Sequence, residues 1–92
     1  MNKGWNSVKN VGLPELKEVA MCNIYSAYES KLVVIQTKCS DMFVAYCRKE
    51  VYENEKMKDK INWFSYGTGG RKMKVMSKVV AWMELPERYE GE

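Results

Sequence analysis

The fold of this chain is decided by residues 32–47, LVVIQTKCSDMFVAYC, in which two apolar segments flank a short polar turn. Residues 32–37 are rich in β-branched side chains, which favour an extended backbone, and they predict a strand. Residues 42–51 predict a second strand that directs two apolar sets to opposite faces, namely Met42, Val44 and Tyr46, and Phe43, Ala45 and Cys47. Two strands joined by so short a connection predict a hairpin.

The segments before this hairpin predict an arm and one more strand. Residues 1–16 keep neither helical nor strand periodicity for long, so we expect an extended arm that packs through Trp5 and Leu13. Residues 19–25, VAMCNIY, form a short apolar run that predicts a strand. A helix over residues 14–22 is the alternative.

Two polar segments interrupt the apolar pattern. Residues 26–31 are predicted to be a polar link. Residues 48–60 are dense in both cations and acids and have few apolar anchors, so we expect a solvated excursion. An extended hairpin tip and a short helix are the two forms it can take.

The last part of the chain predicts two strands. Residues 61–66 resume an alternating pattern with Trp63 on one face, and the glycines of residues 67–70 end it. Residues 74–85 predict the final strand, which Pro86 ends because proline cannot donate to a ladder. The alternation of that strand places Val75, Val79, Ala81, Met83 and Leu85 on one face and Met76, Val80 and Trp82 on the other.

Together these segments predict a mostly β protein, with an α+β fold as the alternative. We expect a compact antiparallel sheet of about five strands, either curled into a small barrel or covered on one face by the arm or a short helix. Residues 1–92 are expected to form a single small domain, with residues 88–92 as a flexible acidic tail.

The composition excludes several classes of enzyme. The chain has no histidine, which removes Ser-His-Asp and Cys-His catalysis and the commonest zinc ligand. Its three cysteines, Cys22, Cys39 and Cys47, include no Cys-x-x-Cys pair, so we expect buried free thiols rather than disulfides or a metal site. No pair of carboxylates stands out as catalytic. We therefore predict a protein that is not an enzyme and uses no cofactor or metal.

The same composition predicts a soluble, intracellular protein. No apolar run reaches the roughly 18 residues that a membrane span needs. The N-terminus lacks the basic and then apolar pattern of a signal peptide.

The distribution of charge marks a candidate partner-binding surface. The formal net charge is only +3, but residues 67–78 hold four cations and no acid. We predict that this basic loop, the 48–60 excursion and nearby aromatic rings bind a partner through Arg71, Lys72, Lys74, Lys78, Tyr52, Lys56, Lys58 and Tyr66.

The same residues resemble two more specific kinds of site, a phosphate-binding loop and a nucleic-acid platform. The sequence GTGGRKM at residues 67–73 is not a P-loop, because Met73 stands where Ser or Thr is required and a strand follows. The aromatic residues beside lysines are typical of core packing first, with a base-stacking platform for nucleic acid as the alternative.

The two ends of the chain carry short signatures. Trp5, Ser7 and Val8 are followed by LPE at residues 13–15, and residues 80–87 read VAWMELPE. These signatures resemble the domain of unknown function 551 family, although Ala81 stands where that family usually has histidine, so no site residue is carried over.

The resemblance implies a genomic setting rather than a mechanism, since such proteins occur mostly in bacteriophages and prophages. It predicts an accessory protein acting in the cytoplasm of an infected bacterial host. The leading hypothesis is inhibition of a host protein or ribonucleoprotein defence effector by surface blockade, similar to an anti-CRISPR protein. Nucleic-acid or nucleotide binding through the basic loop is the first alternative. A structural role in the virion or as a homo-oligomer is the second.

Overall fold

The computed structural model describes residues 4–54 and 56–86. The protein is mostly β, and its eight strands form one antiparallel sheet that does not close into a barrel. The strands are β1 (Asn6–Ser7), β2 (Lys17–Met21), β3 (Tyr25–Glu29), β4 (Val33–Thr37), β5 (Met42–Tyr52), β6 (Lys60–Tyr66), β7 (Lys72–Lys74) and β8 (Val79–Glu84). A single 3₁₀ turn, Thr68–Gly70, separates β6 from β7.

The longest strand, β5, organises the sheet because other strands cover both of its edges. Along one edge, β4 pairs with the first half of β5 and β3 pairs with the second half. Along the other edge, β6 pairs with residues 46–50. The predicted hairpin of residues 32–51 is therefore confirmed as the β4–β5 hairpin at the centre of the molecule.

Ser30 joins β3 to β4 without breaking their contact with β5. Its backbone N–H donates to the carbonyl of Cys47, and its hydroxyl accepts a hydrogen bond from the Cys47 N–H, both at 2.9 Å. The hydroxyl also donates to the carbonyl of Lys31. Because Ser30 is buried, this side chain satisfies a backbone donor that water does not reach.

The remaining strands extend the sheet outward from this centre. β8 pairs with the free edge of β4, and β1 pairs with β8. β2 pairs with β3, and β7 pairs with β6.

One apolar cluster lies on the inner face of the sheet. It is built from seven buried residues: Val33, Ile35, Ala45, Cys47, Trp63, Val79 and Trp82. Ala45 and Cys47 of β5 point into this cluster, although the sequence did not distinguish which of the two apolar faces of that strand is the core face. Trp63 of β6 is buried in the same cluster, which confirms core packing for this ring.

The N-terminal arm packs against this core, as predicted. Val8, Leu13 and Leu16 lie against the buried cluster, and Trp5 is half-buried. The arm also contains β1, which the sequence did not predict. The Trp82 indole N–H donates to the carbonyl of Gly12 at 2.9 Å, so the last strand and the arm are joined by a hydrogen bond as well as by packing.

Several predictions before the central hairpin are wrong. Residues 19–25 are not one strand, and residues 14–22 are not a helix, because the chain turns at residues 22–24 between β2 and β3. The Cys22 N–H donates to the carbonyl of Tyr25 in this turn. Residues 26–31 are not a link, because most of them lie in β3. Their polar side chains lie on both faces of β3, because Ser26 and Tyr28 are opposite Val51 and Lys49 whereas Glu29 is opposite Arg48.

The predicted final strand over residues 74–85 is wrong in its start. Lys74 ends β7, and β8 begins only at Val79. The alternation predicted for β8 also fails, because the register shifts between Gln36 and Thr37 of β4. This bulge lets Val79 and Trp82 both reach the core, although three positions apart in a regular strand point to opposite faces.

Other expectations are corrected in part. The 48–60 excursion begins as ordered strand, since β5 continues to Tyr52, and it ends at Lys60, the first residue of β6. Among the described residues between these strands, the Met57 N–H donates to the Asn54 carbonyl. Cys22 and Cys39 are exposed, and only Cys47 is buried. The count of about five strands is too low, and the barrel is not formed. The predicted acidic tail at residues 88–92 lies outside the described residues.

Candidate partner-binding face

The outer face of strands β3, β5, β6 and β7 carries mostly aromatic and charged side chains. Directly opposed residues of an antiparallel pair point to the same face, so the strand registers define which residues lie there. This face points away from Cys47 and Trp63 and comprises Tyr25, Ala27, Glu29, Tyr46, Arg48, Glu50, Tyr52, Lys60, Asn62, Phe64, Tyr66, Lys72 and Lys74. We call this set the outer face.

One half of the outer face is an aromatic group covered by a lysine. The ring centroid of Tyr46 lies 5.7 Å from that of Phe64 and 5.9 Å from that of Tyr66. The Lys72 ammonium lies 4.7 Å from the Phe64 centroid and 5.4 Å from the Tyr46 centroid, a cation–π arrangement. We call these four residues the Tyr46 cluster.

The two tyrosines of the Tyr46 cluster differ sharply in exposure. Tyr46 is only 5% exposed, although it lies on the outer face, because its neighbours cover it. Tyr66 is 57% exposed. The cluster therefore combines a buried ring, a cation held above it and a ring that remains open to solvent.

A smaller arrangement of the same kind lies at the far end of β5. The rings of Tyr25 and Tyr52 pack with centroids 5.7 Å apart, and the Lys60 ammonium lies 5.4 Å from the Tyr52 centroid. We call these three residues the Tyr52 cluster.

An ionic network separates the two clusters. Arg48 donates to Glu29 at 2.5 Å and to Glu50 at 3.1 Å, and the Tyr52 hydroxyl donates to Glu50 at 2.9 Å. The hydrogen bonds from Tyr52 and then from Arg48 lower the pKa of Glu50, and the bond to Glu50 raises the pKa of Tyr52. The charge of Arg48 is therefore shared by two carboxylates.

The turn between β6 and β7 presents further cations at the open end of the face. Gly69 and Gly70 have φ values of 75° and 77°, a left-handed conformation that glycine adopts without a steric penalty. The Gly67 N–H donates to the Arg71 carbonyl at 2.6 Å and closes the turn. Arg71 is exposed at its end, directly before Lys72.

The structure brings together some of the residues predicted to bind a partner. Tyr66, Lys72 and Lys74 lie together on the outer face with Arg71 next to them, and Tyr52 lies in the other cluster. The other three predicted residues lie elsewhere: Lys56 and Lys58 are exposed in the β5–β6 loop, and Lys78 is next to the β4–β5 turn, where its carbonyl accepts from Lys38.

Sequence reasoning missed four residues of the two clusters: Tyr25, Tyr46, Lys60 and Phe64. The alternation of residues 61–66 in the sequence already places Phe64 on the same side of β6 as Tyr66. What could not be read from the sequence was the register that sets Tyr46 beside Phe64 and Tyr25 beside Tyr52.

Cysteine and carboxylate side chains among the described residues are candidate metal ligands or nucleophiles. Among them, no group of three or more Cys, Asp or Glu side chains is arranged to hold a metal ion. Burial raises the pKa of Cys47 to about 12, so this thiol stays protonated and is a poor nucleophile at neutral pH. No helix in residues 4–54 and 56–86 is long and apolar enough to cross a membrane.

No family model, no curated protein and no solved structure matches this chain. The resemblance of its two ends to the domain of unknown function 551 family stays a prediction.

Proposed function

We propose that this protein is a non-enzymatic binding protein that blocks a negatively charged surface of a macromolecular effector. The contact surface is the Tyr46 cluster together with Arg71 and Lys74. We further propose that the effector belongs to a bacterial host defence system such as a CRISPR-Cas complex, and that the protein acts in the cytoplasm of a phage-infected cell.

One observation carries this proposal, namely that the cations of this surface have no carboxylate partner among the described residues. The ion pairs within that part of the chain involve Lys31, Arg48 and Lys49, and none involves Arg71, Lys72 or Lys74. Residues 61–83 also contain no acid in the sequence. Uncompensated cations on a folded sheet attract a negatively charged partner and speed its association.

The aromatic part of the surface supports a specific contact rather than general attraction. Tyr66 is exposed beside these cations, and exposed tyrosines that pack on a fixed neighbour are typical of binding hot spots. Lys72 is held over two rings, so it loses less side-chain freedom when it binds.

The biological setting is supported by the terminal signatures alone. Their resemblance to a family of small phage and prophage proteins favours an accessory role during infection. An effector blocked by a small protein needs no chemistry from the inhibitor, which agrees with a face built of binding groups.

A plating assay tests the proposal in cells that carry a CRISPR-Cas system targeting a phage. We expect the wild-type protein to raise the efficiency of plating, and the triple variant Arg71→Glu, Lys72→Glu, Lys74→Glu to lose this effect. The matched control carries Lys9→Glu, Lys31→Glu and Lys38→Glu, three exposed residues outside the outer face. Thermal melting of both variants confirms that they fold.

Full protection by the Arg71, Lys72, Lys74 variant would dismiss this surface as the contact. Absence of any effect of the wild-type protein on plating would contradict the defence-inhibitor role.

A second candidate function, self-association in a structural role, is favoured by the edge strand β2. All five of its residues are exposed, including Val19 and Met21, and among the described residues no strand pairs with its outer edge. Such an edge can pair with a strand of another molecule. Sedimentation velocity over a range of concentrations measures whether it does.

A further inference from the structure

We infer that the Tyr46 cluster, together with Arg71 and Lys74, is a binding site for single-stranded nucleic acid. The inference rests on the proposed function in one respect, that this part of the outer face is the contact surface. It adds the chemical class of the partner: a chain that carries phosphates and unpaired bases.

Tyr66 supplies the platform on which a base can stack. More than half of its surface is open, and Tyr46 packs against it with centroids 5.9 Å apart, which fixes the ring from below. Aromatic side chains on an exposed sheet face stack the bases of single strands, because every base has a π-face. The bases of a duplex are already stacked on each other and cannot use this ring.

Lys72 supplies a phosphate contact at a fixed distance from that ring. It lies directly opposite Tyr66 in the β6–β7 pair, so their Cβ atoms are about 5 Å apart. Its ammonium is held over the rings of Tyr46 and Phe64 and has no carboxylate partner among the described residues. The fold therefore holds the Tyr66 ring in position to stack a base and the Lys72 ammonium in position to contact the adjacent phosphate.

Two more cations extend this contact along the β6–β7 hairpin. Lys74 lies opposite Phe64, two residues beyond Lys72. Arg71 directly precedes Lys72, at the turn. Both are exposed. Three cations in four residues beside an exposed ring match the alternation of phosphates and bases along a single strand.

The ionic network around Arg48 limits the site. Glu29 and Glu50 take up the charge of Arg48, so the middle of the outer face offers no free cation to a phosphate. The Tyr52 cluster lies beyond it, about 20 Å from Tyr46 along β5 by the usual rise of a strand. The principal contact is therefore confined to the Tyr46 cluster and the β6–β7 turn.

Fluorescence anisotropy with labelled oligonucleotides tests the inference directly. The probes are an oligothymidylate and an oligouridylate of about 20 nucleotides, long enough to cover one sheet face, and a DNA duplex of the same length. Each is titrated with the wild-type protein and its variants between about 50 and 200 mM salt.

We expect both single strands to bind more tightly than the duplex. Tyr66→Ala is expected to weaken binding by about 10- to 100-fold, the usual effect of losing a stacking ring, whereas Tyr66→Phe keeps the ring and the affinity. Replacing Arg71, Lys72 and Lys74 by Gln is expected to reduce the slope of log affinity against log salt by about 2, since each phosphate contact contributes roughly 0.7. Lys9→Gln, Lys31→Gln, Lys38→Gln removes the same charge at exposed positions outside the outer face and leaves the slope unchanged.

Three results would overturn the inference: no binding of either single strand at the lowest salt, equal affinity for the duplex, or an unchanged affinity in Tyr66→Ala. The plating assay separates this failure from that of the proposed function. Protection without oligonucleotide binding leaves a protein partner on the same surface, and oligonucleotide binding without protection dismisses the defence role alone.

Discussion

Trp82 ties the arm to the core at the level of a single side chain. It is buried in the apolar cluster, and its indole N–H donates to Gly12. Its ring thus contributes both packing and the only hydrogen bond from a tryptophan side chain among the described residues.

We expect Trp82→Ala to lower the free energy of unfolding by about 3 to 5 kcal/mol, because it removes a large buried ring from a small core. Urea denaturation measures this change. Trp5→Ala is the control, since Trp5 is only half-buried and lies outside the buried cluster. Equal stability of the two variants would contradict the central position of Trp82.

Ser30 has a different role, since its hydroxyl accepts a hydrogen bond from the backbone N–H of Cys47 in β5. Ser30→Ala leaves the buried N–H of Cys47 without its partner, and an unsatisfied buried donor costs about 1 to 3 kcal/mol. The same denaturation experiment checks this loss. Ser26→Ala in β3 is the control, because no side-chain hydrogen bond of Ser26 is present among the described residues, and a comparable loss there would contradict the assignment.

Glu50 makes the stability of the fold depend on pH in the acidic range. Its pKa is lowered in the folded state, so its ionised form stabilises the fold above the unfolded pKa, and this contribution disappears as the pH falls through the folded value. We expect the melting temperature of Glu50→Gln to lie below that of the wild type at pH 7, and the difference to shrink below about pH 4.5. Glu84→Gln, at an exposed ion pair, is the control.

A difference between wild type and Glu50→Gln that stays constant from pH 7 to acid would show that the carboxylate charge is not what stabilises the network.

Among the elements, the β4–β5 hairpin and β6 were predictable, whereas β3 and the start of β8 were not. Residues 32–47 carry their own pattern and turn, so local sequence decides them. β3 was missed because Ser26 and Glu29 are polar, although the strand lies beside β5. A strand with polar residues on both faces gives a weak apolar signal, and its pairing with a distant segment decides its structure.

The strand β8 shows a second limit of alternation. Its bulge opposite Gln36 and Thr37 brings both Val79 and Trp82 inward, and nothing in its own sequence marks the shift. The bulge depends on how β8 meets β4, which is a tertiary property.

The edge strand β2 is the element whose substitution has the clearest expected result for self-association. Val19 is 52% exposed at the point where β2 and β3 shift register. If β2 pairs with a second copy, Val19→Lys is expected to shift the sedimentation coefficient toward that of the monomer, because a lysine on an edge opposes pairing. Lys17→Arg keeps the charge of the strand and is the control, and an unchanged coefficient in Val19→Lys would exclude this edge as the interface.

At the scale of the whole molecule, the candidate face was half predictable. The cations Arg71, Lys72 and Lys74 are adjacent in sequence, so their cluster could be found from the chain alone. Tyr46 lies in another strand, and only the sheet register brings its ring beneath Lys72. A cluster of charges can therefore be found from the sequence, whereas the side chains that pack against each charge are known only from the fold.

The double pairing of β5 has a consequence for amide hydrogen exchange. Residues 46–50 are bonded to β6 on one edge and largely to β3 on the other, so their amides open only when the sheet itself comes apart. β2 has one free edge and exposed side chains, and it can open alone. In deuterated solvent we expect the amides of residues 46–50 to exchange at the rate of global unfolding and those of β2 to exchange orders of magnitude faster. Similar rates in β2 and β5 would mean instead that the sheet opens as one cooperative unit.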